Sequence, residues 1–515
     1  MTGLSPKLDF RSSAAMEKRD VEQVEVKGDH EPSPDELIAG SDQRIKRSAL
    51  ERRLLLKADL VIVPLISAAY LASYLDRNSI GNARIMGLQK DLRMNADQFY
   101  NCLTMFFIGY AVSMFPANLT ARKFKPNRSL GVAVVFFGIC CCGMAEAKNY
   151  ATILGLRICL GIGQGFIQMA PIYCSLWYRR DELATRSSIY YACATLSGAF
   201  GGLIAYGVQS DLGSQGGRKP WSWLFLIEGV LAIGIGLLVI LALPRFPDDL
   251  HRREKRHWLF KPEEIDLAYN RYNAYNAEGD KFRIKQLLAV LKDVKSYFFS
   301  FIQSAAVLGV SVVGSFLPTF IHDFGFSPVR TQLFTVIPYA LAFVTVITVG
   351  YLSDRWNTKG PFLFASCCIG CLGYILLMTV SATTARVVAT CLVTAGCYPI
   401  GILLPVWLSI NTPNFTKRGA TWAFSEIFGI GFSIMGTRIY TEPPRYYRGH
   451  GTVLGFFAFA AINVAAAYLW MRRQNRKKDA ILEDYARRGE MHPHIAQRMT
   501  LEALQDEHIA FRYVL

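Results

Sequence analysis

The stretch Leu60–Asn78, LVIVPLISAAYLASYLDRN, decides how the rest of the chain is read. From Leu60 to Leu75 it carries no charge, and its only uncharged polar side chains are Ser67, Tyr70, Ser73 and Tyr74. Then Asp76 and Arg77 arrive side by side, before the chain has left an apolar run of membrane-crossing character. Ionisable groups at bilayer depth are costly unless they pair or face a cavity. The pair therefore marks either a helix end in the headgroup layer or a working site inside a helical bundle.

Composition favours a bilayer around this stretch. Of 515 residues, 52% are hydrophobic and 19% charged, against about a quarter charged in an ordinary soluble domain. The deficit is confined to the interior: residues 1–57 and 471–515 are hydrophilic, and between them apolar runs alternate with short polar joints. Twelve such runs are each about long enough to span a bilayer as a helix: Ala58–Leu75, Tyr100–Leu119, Leu130–Ala145, Ala151–Tyr173, Ser187–Val208, Trp223–Leu243, Tyr297–Leu317, Thr331–Gly350, Pro361–Val380, Val387–Ile410, Gly419–Ile439 and Thr452–Trp470. The expected fold is an all-α integral membrane bundle: a disordered cytosolic tail 1–57, a six-helix half 58–243, a cytosolic loop 244–296, a second six-helix half 297–470 and a cytosolic tail 471–515. The pattern Glu263-Glu264-Ile265-Asp266-Leu267 in the central loop predicts short amphipathic helices there.

The net charge of +16 lies in tails and joints flanking the apolar runs, which fits membrane orientation and not a nucleic-acid face. Basic residues are densest in Arg122-Lys123-Phe124-Lys125, Arg179-Arg180, Arg355 with Lys359, Lys417-Arg418, the central loop and both tails, which assigns these segments to the cytosol. The sequons at Asn118, Asn127 and Asn414 fall on that same side, where they would go unused. Of the twelve cysteines, Cys140, Cys141 and Cys142 lie in one apolar run and Cys367, Cys368 and Cys371 in another; the Cys368-x-x-Cys371 spacing has no companion His or second pair, and the cysteines read as apolar filler. No metal or cofactor is expected.

The two halves repeat weakly. Asn118-Leu-Thr-Ala-Arg122 aligns with Tyr351-Leu-Ser-Asp-Arg355, each after the second run of its half. Halves related in this way point to an alternating-access carrier with its site between them. Six plus six runs, a long central loop and this paired motif resemble the major facilitator superfamily, whose loop reads Gly-x-Leu-x-Asp-Arg. Gly350, Leu352, Asp354 and Arg355 keep that pattern, while Ala121 replaces the acid in the first copy. The resemblance implies gating roles for Arg122, Asp354 and Arg355, with the contact of the missing acid absent or replaced. Leu75-Asp76-Arg77-Asn78-Ser-Ile80-Gly81-Asn82-Ala83, Trp177-Tyr178-Arg179-Arg180 with Glu182 and Arg186, Trp223-Leu-Phe-Leu-Ile-Glu228-Gly229 and Pro444-Arg445-Tyr446 are closely similar to fungal allantoate permease relatives. That family is similar in turn to the wider anion:cation symporters, which include carriers of nicotinate, biotin and pantothenate.

A proton-coupled anion carrier needs a fixed cation for the anion and a carboxyl whose proton follows substrate occupancy. Arg suits the first role, because its planar fork meets a carboxylate with two hydrogen bonds and stays charged. The resemblance implies Asp76 as the proton site and Arg77 as the anion-binding residue. Tyr74 is roughly co-facial with Arg77 and is the best placed of the aromatic candidates Tyr70, Tyr74, Tyr110, Tyr173, Tyr339, Tyr398 and Trp422. Arg157 and Gln164 lie one heptad apart in the fourth run, on nearly one helix face, about 20° offset. Both are candidate substrate-binding residues, with Gly161 and Gly165 leaving room for a neighbouring helix. Related symporters carry Glu where this chain has Gln164, so coupling uses fewer sites, moves to another acid, or is lost. Two other acids lie in apolar runs: Glu228, near the outer end of the sixth, reads as structural, and Glu426, deeper in the opposite half, is a second proton-coupling candidate.

The leading expectation is a proton-coupled plasma-membrane carrier, monomeric, importing a small organic anion or carboxylate vitamin. The alternative is an exporter of a fungal metabolite on the same scaffold. A nutrient receptor is disfavoured by short, featureless tails, an ATP-driven pump by the lack of a phosphate-binding Gly-x-x-x-x-Gly-Lys-Ser/Thr loop, and an enzyme by the lack of a catalytic His or Cys cluster in the runs.

Overall fold

The structure, a computed structural model, describes residues 48–120, 126–212, 217–252, 257–275, 290–412, 415–496 and 508–515. The expected disordered tail up to residue 47, the Arg122–Lys125 run and Asn414 lie outside the described residues. Twelve long helices follow one another: α1 Ala49–Ile85, α2 Ala96–Thr120, α3 Pro126–Ala145, α4 Tyr150–Gly165, α5 Arg180–Asp211, α6 Pro220–Ala242, α7 Val294–Asp323, α8 Pro328–Arg355, α9 Gly360–Thr379, α10 Thr383–Ile410, α11 Phe415–Gly436 and α12 Tyr447–Arg487. There is no strand among the described residues, and ten of their helices are long and apolar enough to cross a membrane.

Several helices outrun the apolar stretches that announce them. Ser48 caps α1 by accepting a hydrogen bond from the Glu51 amide at 3.1 Å, so the helix starts in charged sequence and enters the apolar zone only later. Hydropathy registers bilayer depth, whereas capping sets where the helix begins. α4 ends at Gly165 in a 3-10 turn, Phe166–Met169, and resumes as a short helix, Ala170–Trp177, with a proline in its first turn. Such a turn inside a membrane helix frees backbone groups and is a common hinge.

The packing is a six-helix pattern used twice. In the first half α3 lies along α6 and α4, α2 along α4, and α1 along α5 and α6. Six helices later the same pairings recur: α9 with α12 and α10, α8 with α10, and α7 with α11 and α12. The halves meet through α5 with α8, α2 with α11 and α1 with α7, a set that maps onto itself when the halves are exchanged. In lipid there is little hydrophobic gain from helix association, so small residues that let backbones approach matter more. A Cβ on Gly81 of α1 would lie 2.8 Å from the Ser315 carbonyl oxygen of α7, and one on Gly202 of α5 would lie 3.0 Å from the Gln332 carbonyl oxygen of α8.

Hydrogen bonds between the halves cluster at one end of the bundle. Tyr100 donates to the Tyr440 carbonyl at 2.8 Å, the Thr104 and Thr437 hydroxyls are 2.7 Å apart, and the Gln332 amide donates to the Asn82 carbonyl at 3.3 Å. The opposite end carries the helix Pro262–Tyr275 of the central stretch, clasped to the starts of α1 and α5. Arg271 pairs with Glu51 and with Glu182, the latter at 2.5 Å; Lys57 meets Glu264 at 2.7 Å; Arg186 meets Asp59 at 2.6 Å. Arg186 also lies 4.4 Å from the centre of the Tyr178 ring. The Trp177–Arg186 motif is thus a clasp between the first half and the central stretch.

The segment 508–515 is strapped across the same end of the second half. The Asn411 side chain donates to the Val514 carbonyl at 3.0 Å and accepts from its amide at 2.9 Å, while Asn475 treats Tyr513 in the same two-way manner at 2.8 and 2.9 Å. Trp407 adds a bond to the Val514 carbonyl at 2.8 Å, and the Lys359 amide donates to the Leu515 carbonyl at 2.7 Å.

Two measurements check these contacts. Asn411→Ala leaves the Val514 amide without its partner and its carbonyl with Trp407 alone, a loss of about 1–3 kcal/mol; Tm of the purified protein falls, and an unchanged Tm removes the strap from the stability account. Burial raises the Glu264 carboxyl, but the Lys57 ammonium and the Lys261 amide outweigh it and hold it below the usual carboxylate range. Its stabilisation is therefore present at neutral pH and is lost as pH falls through the lowered value. Protection from hydrogen exchange in residues 262–275, taken relative to the intrinsic amide rate at each pH, falls on that acidification in the wild-type protein and is already low at neutral pH in Lys57→Ala.

Candidate functional site

The cavity lies between the halves, lined from α1, α2, the 3-10 turn after α4, and α5 on one side and from α7, α10 and α11 on the other. Arg77 enters it from α1. Its guanidinium carbon is 4.6 Å from the centre of the Tyr74 ring, 5.0 Å from Tyr110 and 5.3 Å from Phe106. Each such contact contributes roughly 0.5–2 kcal/mol and restricts the guanidinium to one orientation. Its Nε has no hydrogen-bond partner among the described residues. A cation held by ring faces and short of acceptors is suited to receive a carboxylate.

The opposite half presents an acid to it. Glu426 on α11 lines the cavity, accepts from the Gln303 amide of α7 at 2.9 Å, and its charge acts on Arg77 across the space. Gln168, on the 3-10 turn, donates to the Tyr110 hydroxyl. Tyr398 of α10 and Tyr191 of α5 complete an aromatic surround. The chamber thus offers one cation, one acid, amides and flat aromatic walls, which is the equipment for a small planar anion.

Asp76 points elsewhere. It is 0% exposed, inside the first half, where its carboxyl oxygens, Cys141 Sγ of α3 and the Glu228 carboxyl of α6 have atoms within 4.8 Å of one another. The Arg157 charge acts on both acids. Arg157 and Gln164 are likewise enclosed in the first half and absent from the cavity lining. They do share a face of α4, but that face is turned toward α1: the Gln164 amide donates to the Ser73 carbonyl at 2.9 Å. The glycines on α4 allow the approach on its α2 side, since a Cβ on Gly161 would lie 2.2 Å from the Phe106 carbonyl oxygen.

The remaining expected residues separate. Of the aromatic candidates, Tyr74, Tyr110 and Tyr398 line the cavity. Tyr173 instead donates to the Pro244 carbonyl at 2.7 Å, and the Tyr339 ring fills the space over Gly198. Tyr70 is buried against Tyr190 and Tyr191, with ring centres 4.8 and 5.4 Å away. Among the expected gating residues, Asp354 pairs with Lys359 and Arg355 is exposed, both in the second half, and Arg122 lies outside the described residues. Gln303 and Gln168 were not singled out from the sequence. A lone amide within the run Tyr297–Leu317 was the available signal for Gln303, but only the fold turns it toward Glu426.

The sequence model of the Major Facilitator Superfamily matches residues 66–469. The high-affinity nicotinic acid transporter of Saccharomyces cerevisiae is 30% identical over 475 residues, covering 90% of this chain and 85% of that one. The transporter cnsO of Penicillium expansum is 32% identical over 456 residues, covering 85% and 87%. Among solved structures, the E. coli xylose transporter XylE in a partially occluded inward-open conformation covers 80% of this chain and 98% of its own, with a TM-score of 0.60 at 16% identity. The proton:xylose symporter XylE bound to 6-bromo-6-deoxy-D-glucose gives 0.61 at 17%, over 80% and 94%. Those identities speak for the fold alone, and the fold agrees with the sequence match. With two six-helix halves around a central cavity, this chain belongs to the Major Facilitator Superfamily.

Proposed function

We propose that the protein is a proton-coupled carrier that imports a small organic anion, a carboxylate nutrient or vitamin of nicotinate-like size and flatness, by alternating access. The observation that carries the reading is Arg77, held by aromatic faces on one wall of a cavity whose other wall presents Glu426. A carboxylate entering the chamber takes two charge-assisted hydrogen bonds from the guanidinium, while Tyr74, Tyr110 and Tyr398 supply flat surface for a ring. The likeness to the yeast high-affinity nicotinic acid transporter supports this choice of substrate class.

Coupling follows from charge balance. With Glu426 ionised, Arg77 already has a counter-charge across the cavity, and an arriving anion competes with it. Protonating Glu426 frees the guanidinium for the substrate, and protonating Asp76 removes a second negative charge from the same turn of α1. Arg157 and Gln164 act as positioning residues: Gln164 latches α4 to the α1 backbone, and Arg157 balances the enclosed acids. The clustering of inter-half bonds at the end opposite the central helix supports an inward-facing state, with the central helix and the 508–515 strap on the cytosolic side of a plasma membrane.

The test is uptake of labelled nicotinate, pantothenate, biotin and allantoate into cells expressing the chain, across an imposed pH gradient. External acid stimulates uptake of at least one of them; no stimulation of any, with release of a cell metabolite, would mean export. Arg77→Lys gives up one of two charge-assisted bonds worth about 1.5–3 kcal/mol, so KM for the transported anion rises roughly ten- to a hundredfold. Unchanged KM in correctly inserted protein removes Arg77 from the site. Asp76→Asn flattens the pH dependence of the maximal rate, and a wild-type profile in that variant would leave Glu426 as the coupling acid.

A further inference from the structure

Across the molecule, the enclosed cluster of the first half stands out from the cavity as a second ionisable site. Asp76 of α1 and Glu228 of α6 are 0% and 1% exposed, and none of their four carboxyl oxygens has a hydrogen-bond partner among the described residues. The polar groups nearest them also serve backbone carbonyls: Cys141 donates to the Phe225 carbonyl at 3.3 Å, and Ser79 to the carbonyl of Asp76 at 2.8 Å. Among the described residues the cation beside them is Arg157 of α4, 1% exposed, with no hydrogen-bond partner there for its Nε or Nη2. The other titratable groups around the cluster are thiols, Cys140, Cys141 and Cys142 of α3 beside the acids and Cys102 of α2 beside Arg157. Arg77, although next to Asp76 in sequence, is directed into the cavity.

Charge counting then decides the protonation state. Two carboxylates and one guanidinium leave a net negative charge in an enclosed interior, which is costly unless neutralised. Like charges this close resist ionising together while the cluster is enclosed, and the proton that relieves them belongs to the pair and not to either acid. We propose that Glu228 is a proton-coupling residue: it shares a single proton with Asp76 between α1 and α6, against the charge of Arg157. This rests on the proton-coupled reading above and supplies the acid that Gln164 cannot be. Because α1 also carries Arg77 and contacts α7 across the halves, loss of the shared proton is felt on the helix that holds the substrate cation.

The arrangement makes an unusual prediction. Removing either acid leaves one carboxylate opposite one guanidinium, a neutral set that no longer needs the proton. The measurement is infrared spectroscopy of the purified full chain in lipid vesicles, following the carbonyl stretch of protonated buried carboxyls as pH is varied, in a Glu426→Gln background that removes the cavity acid. The band is present in that background and disappears on adding either Asp76→Asn or Glu228→Gln, while Glu228→Asp retains it. Survival of the band with Glu228→Gln, or its halving in each variant, would overturn sharing. Misfolding of Glu228→Gln leaves Asp76→Asn and Glu228→Asp to decide by the same band. The reading of the protein as an anion importer fails separately, since the spectrum needs no substrate: a shared proton with no acid-stimulated uptake of any carboxylate would spare the pair and sink the importer.

Discussion

A single turn of α1 constrains the whole arrangement. Successive residues of an α-helix point about 100° apart, so the adjacent Asp76 and Arg77 cannot both face the same space. Arg77 takes the cavity between the halves, and Asp76 takes the interior of the first half. Two opposite charges that look like a pair in sequence are thereby sent to different compartments while remaining on one rigid element. Each must then find its own balance: Arg77 against ring faces and Glu426, Asp76 against Arg157.

The rest of the fold is arranged to let that turn matter. α1 is the element of the first half that meets α5, α6 and α7 together, and at Gly81 it touches the α7 backbone. The inter-half bonds sit at the far end of α1, and the salt-bridge clasp sits at its near end. A small shift of α1 relative to its neighbours therefore bears on both ends of the bundle. The 3-10 turn after Gly165 gives α4 a joint beside the cavity, at Gln168, without breaking the enclosed Arg157 from its helix.

Much of the bundle was legible in the residues alone. Apolar runs of bilayer length, interrupted by basic joints, account for the twelve helices, and the repeat of Leu119 on Leu352 anticipates the recurring pairings. Tyr74 and Arg77 could be placed on one face because their spacing is a helical turn. What spacing cannot give is which neighbour a face meets. Arg157 and Gln164 share a face as expected, yet that face looks at α1 and the enclosed acids, away from the cavity lining. Glu228 reads as a helix-end acid until α6 is laid against α1, and Gln303 has no meaning until α11 brings Glu426 to it. Helix ends were misjudged for a related reason: α1 begins at Ala49 because Ser48 caps it, in sequence with no membrane signal.

The central claim is that anion binding at Arg77 and proton binding on the carboxyl groups are one linked event. Its most direct test is a vesicle experiment with the purified chain and a pH-sensitive dye trapped inside, with no gradient imposed. Adding nicotinate, or whichever carboxylate the uptake screen identifies, acidifies the lumen faster than in protein-free vesicles and faster than with Asp76→Asn. Substrate entry at the wild-type rate with no acidification beyond protein-free vesicles would contradict the account.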